Sequence, residues 1–364
     1  MVMLRTRVIL FVLTLVVIIP TRSRAQRPNQ LTPVDAALAF LEQQIVDPQI
    51  GLLDSLVEDN APYVYTYDQA LAAMAWMANG DTPKARDALI ALTSLKRGPN
   101  GGFFHRYSAV SGASTERANL HLGHNAYVLQ AFNMYYAKTD DTRFFQISKE
   151  LAAFLKSRQE SDGGLLGDAY NTWKSTENNL AAYVALNNYQ RIAGSTLYNT
   201  AAQAIRGFLL DECWNAQQGR FRTGKGDDTV STDVNALGVL TFGPDYKSGL
   251  DYVEGRTQLT YNIRGQRYIT GFDLNTDKDT VWTEGTLQMS MAYGMVQETE
   301  YLDKAEFYLN EAMQVQHPRL GSFLQAAGEG STGHGENFHP WQAVAPTAWF
   351  ILASTNVNPF EVWS

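Results

Sequence analysis

Apolar residues recur at three- and four-residue spacing in a series of stretches along the chain, and the stretches alternate between two kinds. One kind has a polar face: Leu31–Val46, Thr82–Lys96, Thr142–Arg158, Ser195–Asp211, Leu302–Gln316 and, more weakly, Tyr246–Leu259. This is the pattern of a helix with one side in water. The other kind is apolar nearly all round, as in Leu71–Met77 and Leu287–Met295, and predicts helices buried on several sides.

Each buried stretch opens with a short polar or aromatic cluster. The openings read YTYDQALAAMAW from Tyr65, GHNAYVLQAF from Gly123, STENNLAAYVAL from Ser175, STDVNALGVL from Ser231, WTEGTLQMSMAY from Trp282 and HPWQAVAPTAW from His339. With Asp68, His124, Glu177, Asp233, Glu284 and Trp341 as markers, the successive spacings are 56, 53, 56, 51 and 57 residues. A period of this size marks repeated supersecondary units, each too small to bury its own apolar face. The pattern predicts six helical hairpins closed into a ring, with the six openings at one mouth. The returns between partner and opening helices also rhyme: GPNGGFFHRY at 98–107, SDGGLLG at 161–167, QQGRFRTG at 217–224, RGQRYITGF at 264–272 and RLGSFLQAAG at 319–328. A Gly beside an aromatic residue or Leu reads as a helix C-cap followed by an extended piece. The loops that follow are long, which on a compact scaffold points to function.

Composition narrows the picture. Arg5 and Arg7, the apolar run Val8–Pro20 and the small-x-small site Ser23-Arg24-Ala25 read as a signal peptide over residues 1–25. The run is shorter than the roughly 20 residues that span a bilayer. The expected mature chain, 26–364, is a single exported domain, periplasmic or extracellular. It carries 25 basic against 37 acidic residues, a formal charge of −12. That balance argues against nucleic acid and anionic membranes as partners, and a monomer is expected. Cys213 is the only cysteine, so no intrachain disulfide forms, and its place beside Trp214 predicts a buried, inert thiol.

The inner-helix openings and the Gly-aromatic returns resemble the six-hairpin, (α/α)6, glycosidase-like superfamily over essentially the whole mature chain. The resemblance implies an all-α toroid with its active site at the mouth. Terpene cyclases, protein prenyltransferases and some polysaccharide lyases share related toroids. The stretch TEGTLQMSMAYGM at 283–295 is similar to the Ser-Glu-Gly-Gln-x-Tyr-Gly-Met motif of glycoside hydrolase family 8. That family carries the motif early and this chain carries it late, so no family is assigned.

Four openings place a carboxylate in or beside the first helical turn: Asp68, Glu177, Asp233 and Glu284. Each alone is accounted for as a cap or a partner of the helix dipole. Together, on a closed ring, they point into one funnel. Aromatic residues surround them: Tyr65 and Tyr67 before Asp68, Trp173 before Glu177, Trp282 before Glu284, and Trp341 at the last opening. Sugar rings stack on aromatic faces while their hydroxyls need carboxylates and amides. The expected activity is therefore glycoside hydrolysis on a poly- or oligosaccharide. One carboxyl is held protonated as acid and another ionised as base. The catalytic candidates are Glu284, Asp233, Glu177 and Asp68. The substrate-binding candidates are Tyr65, Tyr67, His124, Asn125, Trp173, Trp282, Trp341 and His339. Neighbouring helices pack about 8–10 Å apart, compatible with the separation of about 6.5–9.5 Å needed for inversion.

Two alternatives stay open at this point. A polysaccharide lyase would use Arg106, Tyr107, His124 and Asn125 to neutralise a uronate and abstract a proton. A non-catalytic sugar-binding or envelope protein would keep the aromatics alone. No cofactor is expected, with one qualification: Asp273, Asn275, Asp277 and Glu284 match the calcium-loop spacing D-x-[DN]-x-[DN]-G-x5-E, with Lys278 in place of its Gly. Calcium at Asp273, Asn275 and Asp277 is the metal site the sequence suggests. His121-x-x-His124 lacks a strong zinc spacing and reads better as polar or substrate-facing histidines.

Overall fold

The computed structural model describes residues 31–115, 119–167, 172–263, 265 and 267–363. The expected signal peptide, residues 1–25, lies outside them. Among the described residues, twelve α-helices follow one another in pairs. α1 (Pro33–Gln43) leads to α2 (Thr66–Ala78), α3 (Thr82–Thr93) to α4 (Leu122–Thr139), and α5 (Phe145–Ser157) to α6 (Thr176–Ala193). Then α7 (Thr196–Phe208) leads to α8 (Thr232–Phe242), α9 (Ser248–Thr257) to α10 (Thr283–Val296), and α11 (Thr299–Met313) to α12 (Val344–Thr355). The even-numbered helices pack side by side in sequence, and α12 packs on α2, so the inner ring closes. The odd-numbered helices lie outside, each against its neighbours in the inner ring. The expected all-α (α/α)6 toroid is the observed architecture.

Local sequence explains the two rings. Thr32 accepts a hydrogen bond from the Asp35 amide and Pro33 begins α1; Asp81 accepts from the Lys84 amide, with Pro83 in the first turn of α3. On α5 the buried positions Ile147, Ser148, Leu151, Ala152, Phe154 and Leu155 form one stripe. On α2, every residue from Ala70 to Met77 is buried. Helices with no polar face are stable only when surrounded, which places them at the centre.

The returns are held by a repeated side-chain clasp that the sequence pattern did not single out. Four residues after each inner-helix N-cap stands Gln69, Asn125, Asn179, Asn235, Thr286 or Thr347, and all six are completely buried. Their side-chain oxygens accept from the amides of Leu53, Phe103, Leu165, Phe221, Phe272 and Phe323 at 2.7–3.0 Å. Five of them also donate to the carbonyl of their own N-cap residue: His121, Ser175, Ser231, Trp282 and Ala343. Gln69 donates instead to the carbonyls of Gly51 and Ala88. A buried strand-like return needs its backbone groups met, and one amide or hydroxyl per hairpin meets them.

Among the described residues, five two-stranded antiparallel ribbons decorate the toroid. β1 (Tyr63–Tyr65) pairs with β2 (Arg106–Ser108), β3 (Trp214–Asn215) with β4 (Arg220–Phe221), and β5 (Gln258–Ile263) with β6 (Arg267–Phe272). β7 (Phe323–Leu324) pairs with β10 (Gln342–Ala343), and β8 (Gly330–Ser331) with β9 (Asn337–Phe338). The expected helix Tyr246–Leu259 is corrected at both ends. It begins at Ser248, and from Gln258 the chain enters β5, where Thr, Tyr and Ile favour a strand.

The far end of the ring is stoppered by the segment after α12. Asn358 donates to the Leu240 carbonyl at 2.7 Å, and Gln130 and Asn188 donate to the carbonyls of Pro359 and Glu361 at 3.1 and 2.8 Å. Phe360 is buried on the axis, with its ring edge-on to Tyr127 at 5.5 Å and stacked on Trp349 at 6.5 Å. Among the described residues, this segment covers the end of the hub opposite the starts of the inner helices.

Candidate active site

Three consecutive inner helices, α6, α8 and α10, carry a carboxylate two residues after their N-caps: Glu177, Asp233 and Glu284. Glu177 and Asp233 line one cavity at the mouth, and Glu284 lies against Tyr67 and Gln288. A cavity of about 200 Å³ is lined by Glu177, Asp233, Trp173, Ser231 and His334. It adjoins an outer groove of about 420 Å³ that shares Ser231, Leu274 and His334.

The three carboxyls differ in what meets them. Glu177 is half-buried in the cavity wall, and its loss of solvent pushes the carboxyl up to about 8, with the charges of Asp233 and Glu284 adding to the effect. Burial also raises Asp233, but the Ser231 hydroxyl donates to it and the backbone amides of the α8 start oppose the shift. Those donors favour its ionised form. Glu284 is raised to about 8, first by burial. It accepts from the Tyr67 hydroxyl and, at 3.1 Å, from Gln288. Trp349 Nε1 donates in turn to the Tyr67 hydroxyl at 3.0 Å. Tyr127 lies edge-on to Tyr67 at 4.5 Å, and burial followed by the charges of Glu177 and Glu284 lifts its hydroxyl far above its ordinary range.

Asp68 is buried one position further along its helix, and burial raises its carboxyl to about 7. Ser55 hydrogen-bonds to it, and its charge adds to the rise at Glu284. An imidazole group stands beside Tyr65 and Tyr67. The His124 ring lies 4.8 Å from His121, 5.9 Å from His105, 5.8 Å from Tyr67 and 6.3 Å from Tyr65. Burial holds His124 well below its ordinary value, with the neighbouring His121 and His105 next in effect, so it is neutral. The Arg106 guanidinium lies over Tyr63 at 4.6 Å and Tyr65 at 5.9 Å.

The aromatic expectations divide. Trp173 faces the cavity, and its ring lies so close to Gly224 that a Cβ there would sit 2.5 Å from it. Trp282 is 8 % exposed and stacked on Phe338 at 5.6 Å, so it is packed into the rim rather than offered to a substrate. Trp341 stacks on His339 at 4.2 Å, and His339 Nδ1 is 2.6 Å from Glu329. Trp341 also precedes α12, which begins at Val344, so the position equivalent to Glu284 is Ala345. Asn125 is a correction. Its amide is fully buried and used by Phe103 and His121, which leaves nothing for a substrate.

The calcium-like stretch is a loop entered from β6, not from a helix. Asp273, Asp277 and Asp279 bring carboxylate oxygens together, while Asn275 donates to the Ser331 carbonyl. Asp273 itself accepts from the amides of Leu274 and Asp279 at 2.7 and 2.9 Å. The loop thus closes on its own bonds. Among the described residues, no histidine group converges as metal ligands. Cys213 is buried, and burial pushes its thiol up to about 11, as expected of an inert cysteine. Sequence reasoning missed Tyr127, Trp349, Gln288 and Ser231. All but Ser231 stand six residues after their N-caps, beyond the first turn of the helix.

No family description matches the chain, and no curated protein does. Solved structures do match in fold. A cellobiose 2-epimerase from Bacillus thermoamylovorans aligns at TM-score 0.65 and 12 % identity over 88 % of this chain and 98 % of its own. A D-mannose isomerase aligns at 0.68 and 10 % identity over 90 % and 95 %. A protein described as a wild-type glycosidase aligns at 0.66 and 11 % identity over 90 % and 96 %. At these identities the likeness is one of fold: the chain shares the (α/α)6 toroid architecture of these structures.

Proposed function

We propose that the protein is a glycoside hydrolase acting on a poly- or oligosaccharide, with Glu177 as general acid and Asp233 as general base. The observation that carries this reading is the difference between two carboxyls on one cavity. Glu177 is pushed up to about 8 by burial and by its acidic neighbours, so it holds a proton at neutral pH. Asp233 accepts from Ser231 and sits against the amides of the α8 start, which favour its anion. In the reaction, Glu177 gives its proton to the glycosidic oxygen as the bond from that oxygen to the anomeric carbon breaks. Asp233 takes a proton from a water whose oxygen bonds to that carbon from the opposite face. Water is thereby divided between the two products, with inversion. Trp173 supplies a face for the sugar ring. Glu284, raised to about 8 like Glu177, also holds a proton at neutral pH and is fixed in place by Tyr67 and Gln288.

A second reading has its own observation. His124 is enclosed and neutral, beside His121, His105, Tyr65 and Tyr67. A neutral imidazole can carry a proton between carbons of a sugar, and two of the structural neighbours are named as an epimerase and an isomerase. The lyase alternative is less favoured. Arg106, the cation it needs, is stacked on Tyr63 and Tyr65, and the Asp233 anion on the cavity opposes a uronate.

Mass analysis of products from glucans, mannans, xylans, uronates and their oligosaccharides decides among these. Hydrolysis adds one water per cleaved bond and creates new reducing ends. An isomer of unchanged mass favours His124, and an ultraviolet-absorbing unsaturated uronate favours the lyase. No product from any member of the panel would leave the hydrolase reading without support.

A further inference from the structure

The loop that resembled a calcium site in sequence is built as a bracket. Asp273, fully buried, bends residues 273–280 back on themselves: its Oδ1 accepts from Leu274, and its Oδ2 accepts from Asp279 at 2.9 Å and Thr280 at 3.4 Å. One arm of the bracket grips the start of α8. Thr232, the residue before Asp233, donates its amide to the Leu274 carbonyl at 2.8 Å and its hydroxyl to the Asp273 carbonyl at 2.5 Å. The other arm grips β8. Asp279 accepts from the Ser331 amide at 2.8 Å, and Asn275 donates to the Ser331 carbonyl at 3.1 Å. The close fit leaves no room for a side chain at Gly330, where a Cβ would lie 2.4 Å from the Asp279 carboxylate.

The bracket presents the tip of the β8–β9 hairpin. Thr332 is tied across the tip by its amide and hydroxyl, which donate to the Glu336 carbonyl at 3.0 and 2.9 Å. The His334 amide donates to the Thr332 hydroxyl at 3.2 Å, and Gly333 and Gly335 on either side take positive φ angles of 74° and 90°. The turn so formed carries the His334 imidazole to the cavity that holds Glu177 and Asp233, 6.1 Å from the Trp173 ring. His334 also borders the outer groove. It is the one side chain from the 331–336 tip that lines the inner cavity.

We propose that His334 is a substrate-contacting residue that holds a sugar unit against Trp173, and that Asn275 and Asp279 are positioning residues that mount its hairpin. The inference rests on reading the cavity as a saccharide site. It extends that reading, because the contact lies between the inner cavity and the outer groove, where the unit next to the cleaved one would pass.

Oligosaccharides of glucan, mannan, xylan and uronan type, titrated calorimetrically into the full chain, test it. At least one should bind. His334→Ala should weaken that binding by about tenfold, the size of one ordinary hydrogen bond lost. His334→Gln, which keeps a donor and an acceptor, should recover part of it. Asn275→Ala should weaken binding several-fold although Asn275 touches no sugar. The thermal midpoint of the His334 variants should stay near that of the wild type, since His334 is exposed. If a substrate is cleaved, KM should rise more than kcat falls. Equal affinity in wild type and His334→Ala, or no binding of any member, overturns the proposal. The two readings fail separately: binding that depends on His334 without cleavage removes the hydrolase, and cleavage with unchanged affinity removes His334.

Discussion

On one side of the mouth, α6, α8 and α10 place Glu177, Asp233 and Glu284 two residues after their N-caps. On the other side, α2, α4 and α12 place Tyr67, Gly123 and Ala345 at the same position. Two residues further on, both sides do the same thing, because Gln69, Asn125 and Thr347 clasp a return as Asn179, Asn235 and Thr286 do. The clasp position answers to a backbone that must have a partner when buried, and every hairpin presents that demand. The position two residues before it lies at the mouth, where no such backbone demand constrains it. On α4 even that space is taken: a Cβ at Gly123 would lie 2.2 Å from Asn178 Oδ1. A repeated frame thus fixes one residue per unit and leaves its neighbour free for chemistry, so the two sides diverged in function without diverging in fold.

The largest test of this contrast is catalytic. Glu177→Gln and Asp233→Asn should each lower kcat by about 10²–10⁴-fold, the usual weight of a general acid or base, with thermal midpoints little changed. His124→Gln on the opposite side should cost far less under the hydrolase reading. Steady-state rates with thermal midpoints decide it, and a deeper loss at His124 than at either carboxyl would reverse the roles of the two sides.

Next in size are the clasps, where the sides should behave alike. Asn125→Ala and Asn179→Ala each orphan buried backbone groups of a return, at about 1–3 kcal/mol per group. Both should lower stability in chemical denaturation by similar amounts, whichever side they serve. A clasp variant that keeps full stability while losing activity would show that the frame and the site are not separable.

The smallest effect lies where the sides touch, at the bond from the Tyr67 hydroxyl to Glu284. That bond opposes the rise of the Glu284 carboxyl. Glu177 and Glu284 stand near 8 in the fold against an ordinary 4.5, so the folded state binds their protons more tightly than the unfolded chain. Their contribution to stability is full below about 4.5 and is lost as pH rises through about 8. Thermal midpoints should therefore fall across that interval. In Tyr67→Phe, which raises Glu284 further, the fall should be steeper. A flat profile in both proteins would show that the enclosed carboxyls keep their ordinary proton affinity.

The ring itself was legible because its signal is periodic: helical spacing in two flavours, repeated at nearly constant interval. The three carboxylates were legible for the same reason, since each follows a Thr at a helix start. The first, second and last openings are out of register: Asp68 and His124 each lie one position past the place of Glu177 and Glu284, and Trp341 falls four short, because loop lengths vary from hairpin to hairpin. The clasps were present in the sequence as an amide or hydroxyl four residues past each N-cap. They escaped notice because their partners are backbone groups some 14–24 residues away. Tyr127, Trp349 and Phe360 gave no sign at all. Each looks like ordinary core, and only closure of the ring brings them beneath Glu177 and Glu284.

The stopper has a consequence for how the molecule comes into being. The bonds from Asn358 to Leu240, from Asn188 to Glu361 and from Gln130 to Pro359 link residues 118, 173 and 229 positions apart. α12, just before them, is also the helix that meets α1 and α2 to complete the inner circle. Contacts between such distant parts of a chain form late and slowly. A nascent chain that has emerged from the ribosome only as far as α11 holds five hairpins with an open seam and an uncovered floor, the kind of exposed apolar surface that chaperones bind. Seam and floor are then sealed together by one stretch, residues 344–363, so assembly ends in a single closing event rather than hairpin by hairpin.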